Sequence, residues 1–132
     1  MESVEPAAVG GVYRPSREGQ AWLLDEYFVV GELWKRRGRT VGDRDPEVLE
    51  LARLLGRSTA SISYRVGNFK GTDEPGAGLK PISGKPLTEW QKVRDSPAAV
   101  TQAARLARAR LALLTGYDPS GTSPARACIE VD

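Results

Sequence analysis

Residues Glu50–Phe69, ELARLLGRSTASISYRVGNF, read as two short helices meeting at a glycine. Leu51, Ala52 and Leu55 form the apolar stripe of the first. After Gly56-Arg57-Ser58, the residues Ile62, Val66 and Phe69 share one face of the second, at offsets of four and seven residues. Ala52 is small where two helices must approach, and Gly56 can take the backbone angles of a tight turn. The opposite side of the second helix carries Ala60, Ser61, Tyr64, Gly67 and Asn68, with Arg65 at its flank and no acid among them. This pattern predicts a helix-turn-helix within a mainly all-α fold.

Working outward, Asp45-Pro46 is a strong helix start, an N-cap followed by a proline whose missing N–H costs nothing there. The helix before it is expected from about Arg17 to Arg37, with Ser16 as its cap. It ends on Lys35, Arg36 and Arg37 before Gly38, cations at the negative end of the helix dipole. Downstream, Gly71–Pro86 is a long glycine- and proline-rich loop, anchored by Leu79 and Ile82 and with room for a small β wing, although no clean alternation supports strands. A short helix opens near Thr88-Glu89. A last one runs from Ser96-Pro97 to Thr115-Gly116, with Val100, Ala104, Ala107, Leu111 and Leu114 as its inner stripe. The expected organisation is a flexible arm over 1–15, a helical domain over 16–116 and a tail or linker over 117–132.

Two absences narrow the chemistry. The chain of 132 residues has one cysteine, so no intrachain disulfide and no all-cysteine zinc site can form. It has no histidine, which removes Ser–His–Asp triads and histidine-ligated metal hydrolysis. No cofactor and no metal are expected. Carboxylate-based metal chemistry through Asp43, Asp45, Glu47 or Glu50 is disfavoured because Asp45 is better used as a cap and the others suit a helix surface. No apolar run is long enough to span a membrane, and the start MESVEPAAVGG lacks the basic and apolar regions of a signal peptide. The expectation is a cytoplasmic protein that meets no membrane.

Charge is nearly balanced at +2 but uneven. Leu33–Lys70 holds nine basic residues against four acidic ones, a local +5 in an otherwise acidic chain. A basic segment around a two-helix motif is the footprint of a surface that meets phosphates. The competing reading makes these residues solvated helix faces. An α-helix fits the roughly 12 Å width of the DNA major groove. Ser61, Tyr64, Arg65 and Asn68 are then the candidates to read base edges, Asn by a bidentate pair with adenine and Arg with guanine. Arg36, Arg37, Arg39, Arg44, Arg57, Ser58, Thr59 and Lys70 are the candidates to hold phosphates. The three tryptophans read as core anchors rather than a base-binding cage.

The ordered blocks LWKRRGRT and RDPEVLELARLLGRSTASISYRVGNFKGTDEPGAGL, followed by Trp90, resemble an amino-terminal module of bacterial HNH-type restriction endonucleases over roughly Tyr13 to Val93. The resemblance implies a winged-helix-like, DNA-reading unit placed before a separate cutting domain, and a methylated base as one candidate target. It implies Ser61, Tyr64, Arg65 and Asn68 as recognition residues, with Lys70 and Gly71 entering the next loop. A histidine-metal nuclease needs a histidine, so any HNH nuclease would be a fused or associated partner and this chain is expected not to be an enzyme. The expected function is double-stranded DNA binding in a restriction system. The alternatives are a dimeric transcriptional regulator, with the last helix as dimer surface, and a helical protein-interaction domain.

Overall fold

A computed structural model describes residues 15–118. The described chain is all-α, with helices α1 (Leu24–Arg37), α2 (Pro46–Leu55), α3 (Thr59–Asp73), α4 (Gly84–Gln91) and α5 (Pro97–Thr115) and no strand. All but Pro15 of the expected arm over 1–15 and most of the tail over 117–132 lie outside the described residues. Tyr117, which is described, is half-buried against the core.

The local signals hold where capping chemistry is strong. Asp45 accepts the Glu47 N–H at 2.9 Å and Pro46 is the first residue of α2. Gly56 closes α2 in the left-handed region at φ 68°. Ser58 accepts the Ser61 N–H at 3.1 Å and so starts α3. Ser96 does the same for α5 through the Ala99 N–H at 3.2 Å.

α1 starts seven residues later than the sequence pattern predicts, at Leu24 instead of Arg17. The Arg17 backbone N–H is spent on the Gly56 carbonyl at 2.7 Å, tying this segment to the α2–α3 turn instead of to a helix. Ser16 is therefore not a cap. The Glu26 carboxylate takes that role from inside the first turn, accepting the Leu23 N–H at 2.7 Å.

α5 lies along α1 and also packs on α2, while α3 packs on α1 and α2. Val30, Leu33, Leu55, Ile62, Val66, Phe69 and Ala107 are fully enclosed at the centre. Phe69 meets the edge of Trp90 with ring centroids 4.9 Å apart. Gly31 lets α1 come close here, since a Cβ at that position would sit 2.7 Å from the Trp90 ring. Trp34 donates its indole N–H to Asp73 at 2.6 Å, tying the ends of α1 and α3. Arg108 pairs with Glu50 at 3.1 Å and Arg110 with Asp25 at 2.8 Å, which fixes α5 on its neighbours. Leu114, expected inside, is exposed, and the α5 stripe ends at Leu111.

The stretch expected as a long loop is shorter. α3 continues through Asp73, α4 begins at Gly84, and no strand forms between them. The remaining residues fold back over α3. The Leu79 N–H donates to the Gly67 carbonyl at 3.2 Å, the Ile82 N–H donates to the Thr72 hydroxyl at 2.9 Å, and Ile82 is buried. Gly67 and Gly71 make the seat: a side chain at Gly71 would overlap the carbonyl oxygen of Leu79. No described helix is long and apolar enough to cross a membrane.

Candidate nucleic-acid interface

The α2–α3 turn is braced from beneath by a buried ionic cluster. Glu26 and Arg57 are both enclosed. The Arg57 Nε donates to Glu26 Oε2 at 2.6 Å, and its terminal nitrogens donate to the carbonyls of Arg17 and Ala21 at 3.0 Å each. Arg17, nearly buried, adds a second cation 2.8 Å from the same carboxylate and donates to the Leu55 carbonyl. Arg57 was expected at phosphates. It is instead a structural cation, because the turn folds it inward onto Glu26 and the Trp22 ring, 4.6 Å from the ring centroid.

The face of α3 divides at its middle. In the first half Ala60 is exposed, Tyr64 is 57% exposed, and Ser61 and Ser63 are partly exposed. In the second half the 77–82 segment covers the helix, and Asn68, expected at base edges, is only 4% exposed. Its amide donates to the Lys80 carbonyl at 2.8 Å and its oxygen accepts from Arg65 at 3.1 Å, so both ends of the side chain are committed within the fold. Arg65 lies half-buried over the rings of Trp22 and Tyr27, 4.4 and 5.1 Å from their centroids. Burial, reinforced by the like charge of Arg57, pulls its pKa down.

An acid also stands where none was expected. Glu18 reaches the start of α3, accepting from the Ser58 N–H at 3.0 Å, the Ser58 hydroxyl at 2.7 Å and the Ser61 hydroxyl at 2.8 Å. These bonds to Ser58, helped by Ser61 and the charge of Arg57, hold its carboxyl below the usual glutamate range. Ser58 and Ser61 are thus occupied by an internal anion. A second carboxylate, Asp43, accepts from Ser63 at 2.9 Å.

The expected phosphate-binding cations also separate. Arg36 is shared between Glu32 and Glu47, each at 2.6 Å. Arg37 is held by Asp45 and Glu47. Both belong to an ion-pair network that joins the end of α1 to the start of α2, and neither is a ready phosphate contact. Lys70 pairs with Glu74 one turn on, at 3.0 Å, on a partly exposed surface. Arg39 and Arg44 are exposed and form no ion pair among the described residues. The Asp43–Ser63 bond brings their loop against the open half of α3. Thr59, partly exposed, is the first residue of that helix.

No family model, curated protein or solved structure matches this chain.

The open half of α3 thus holds Tyr64, Ser61 and Thr59, the loop of Arg39 and Arg44 bonds it through Asp43, and Arg57 and Asn68 are withdrawn. Lys80 and Trp22, which sequence reasoning did not select, flank the same half. Lys80 is carried there by the turn over Gly67 and Gly71. Among the described residues no group of His, Cys, Asp and Glu side chains is arranged to hold a metal ion.

Proposed function

We propose that this domain is a double-stranded DNA reader in which α2, the Gly56–Ser58 turn and α3 act as a helix-turn-helix. One observation carries the reading: the first half of α3 is open, with Tyr64 standing out of it, and Ser63 there bonds Asp43 of the loop that holds the exposed Arg39 and Arg44. In helix-turn-helix proteins the amino-terminal residues of the second helix reach base edges, so covering the later turns leaves that mode of docking intact. Tyr64 is the proposed base contact, with Arg65 at the edge, while the Ser61 hydroxyl is held by Glu18. Arg39, Arg44 and Thr59 hold phosphates. The role is recognition without chemistry, and a nuclease partner and a methylated target follow only from the resemblance drawn above.

The test is duplex binding at controlled salt, with matched unmodified, adenine-methylated and cytosine-modified DNA. Tyr64→Ala is expected to cost about 1–3 kcal/mol of discrimination between duplexes. Arg44→Ala should weaken every duplex alike and lower the salt slope by about one. No association with any duplex at low ionic strength would overturn the reading.

Glu18 makes a prediction of opposite sign. Its carboxylate sits where a backbone phosphate would approach the start of α3, so Glu18→Gln should tighten binding to all duplexes by roughly three- to tenfold at low salt. The gain should shrink as salt screens the charge. Unchanged or weaker binding by this variant would place the phosphates elsewhere.

A second reading has its own observation. Leu106 and Leu113, seven residues apart on one face of α5, are 48% and 87% exposed. That stripe favours the dimeric-regulator alternative, which concentration-dependent sedimentation and an operator with two half-sites would support.

A further inference from the structure

Behind Tyr64, a cleft of about 240 Å³ opens between α1, α3 and the segment leading into α4. Its walls include Tyr27, Tyr64, Arg65, Lys80 and Ser83, and no carboxylate lines it. Among the described residues Arg65 has no ion pair, and its Nε is buried without any hydrogen-bond acceptor. This sets it apart from Arg17, Arg37, Arg57 and Arg94, each at least partly buried and each facing a carboxylate. A half-desolvated cation with no carboxylate paired to it is costly to hold, even over two ring faces and against the Asn68 oxygen, and an anion entering from solvent would relieve that cost.

Lys80 and Ser83, both lining the cleft, add further donors. The Lys80 ammonium is exposed and unpaired among the described residues, its carbonyl having been turned inward to Asn68. Ser83 is the N-cap of α4, yet its side chain makes no capping bond, so its hydroxyl remains available. The first turn of α4 contains no acid to satisfy its amides. Tyr27 and Tyr64 complete the lining of the cleft.

We propose that this cleft binds a phosphoryl group, with Arg65 and Lys80 supplying charge and Ser83 and the start of α4 donating hydrogen bonds. A carboxylate ligand fits less well, because tetrahedral oxygens can engage the guanidinium, the ammonium and the helix start together. The group can arrive on the backbone of a duplex or on a free phosphorylated molecule. The site does not depend on duplex binding.

The test uses the full chain and inorganic phosphate, titrated against chloride at constant ionic strength. The readouts are the NMR signals of the Arg65 Nε–H and the backbone amides of Ser83–Lys85. A saturable shift at both places is expected. Lys80→Ala and Ser83→Ala, at exposed positions, should each weaken phosphate by about three- to tenfold. Absence of saturation, or equal affinity in both variants and the parent, overturns the site. Inclusion of a short duplex then separates the sources. If phosphate displaces the duplex, the occupant is a backbone phosphate; if both bind together, it is a free phosphorylated ligand, and either result supports the cleft. Duplex binding without phosphate saturation sinks this site and leaves the reading of α3 standing, whereas phosphate binding without duplex binding does the reverse.

Discussion

Glu26→Gln is expected to lower the free energy of unfolding by about 3–5 kcal/mol, since removing one member of a buried ion pair strands its partner. The side chain is nearly isosteric, so volume is not at issue. What is lost is the carboxylate bonded to Arg57, which is 1% exposed and cannot recover its hydration without opening the turn. Two carbonyl acceptors would remain to it, those of Arg17 and Ala21, and these keep the expected loss from being larger. Urea denaturation of the two proteins measures the difference. A double variant, Glu26→Gln with Arg57→Met, should regain much of it, because an apolar side chain at 57 removes the stranded charge. A loss below about 1 kcal/mol for Glu26→Gln, or strict additivity in the double variant, would show that the cluster does not brace the turn. The functional consequence is local. Arg17 and Arg57 hold the 15–23 segment on the turn, and that segment carries Glu18 to the start of α3. Loosening the cluster should therefore speed amide exchange at Ser58 as well.

The legible parts of this fold are those decided within one or two turns of chain. Asp45-Pro46 with Gly56, Ser58, and Ser96-Pro97 with Gly116 set three helices by caps that act on adjacent backbone groups. The stripe of Ile62, Val66 and Phe69 is fully buried for the same reason: its period alone specifies a face. Long-range pairing was out of reach. Glu26 reads as a first-turn acid, although it shares the buried stripe of Val29, Val30 and Leu33, and that position on an apolar face is the signal of a buried charge needing a partner. Its partner is 31 residues away. Arg57 follows a glycine in a basic segment, and nothing local says that the turn folds it inward. Placing Asn68 at base edges requires α3 to have one solvent face along its length. Gly67 and Gly71, one turn apart in GNFKG, are the mark of another chain segment lying close, and that mark was available. The acid-free face of α3 says nothing about acids delivered from elsewhere in the chain, as Glu18 is.

Gly71→Ala should be the second large effect, and it tests the division of α3 directly. Alanine favours a helix over glycine by about 1 kcal/mol, so propensity alone predicts stabilisation. Packing predicts the reverse. The new methyl would overlap a backbone oxygen, that of Leu79, which has no rotamer to retreat into. The 77–82 segment must lift, and with it go the Leu79–Gly67, Asn68–Lys80 and Ile82–Thr72 hydrogen bonds and the burial of Ile82. At about 1 kcal/mol per hydrogen bond, plus partial exposure of one isoleucine, the net loss should be about 2–4 kcal/mol after the propensity gain. Gly42→Ala is the control: nothing lies within 4 Å of its added Cβ and its φ is not in the left-handed region, so it should change stability by less than about 0.5 kcal/mol. Denaturant unfolding of the pair, with amide exchange at Leu79 and Ile82, separates the two forces. Equal stability of the two variants would mean that the segment is not seated on α3. If Gly71→Ala destabilises as expected, it should also abolish phosphate binding in the cleft, because Lys80 leaves with the segment. Duplex binding through Tyr64 should survive, since the open half of α3 rests on Ile62 and Val66 and not on that cover.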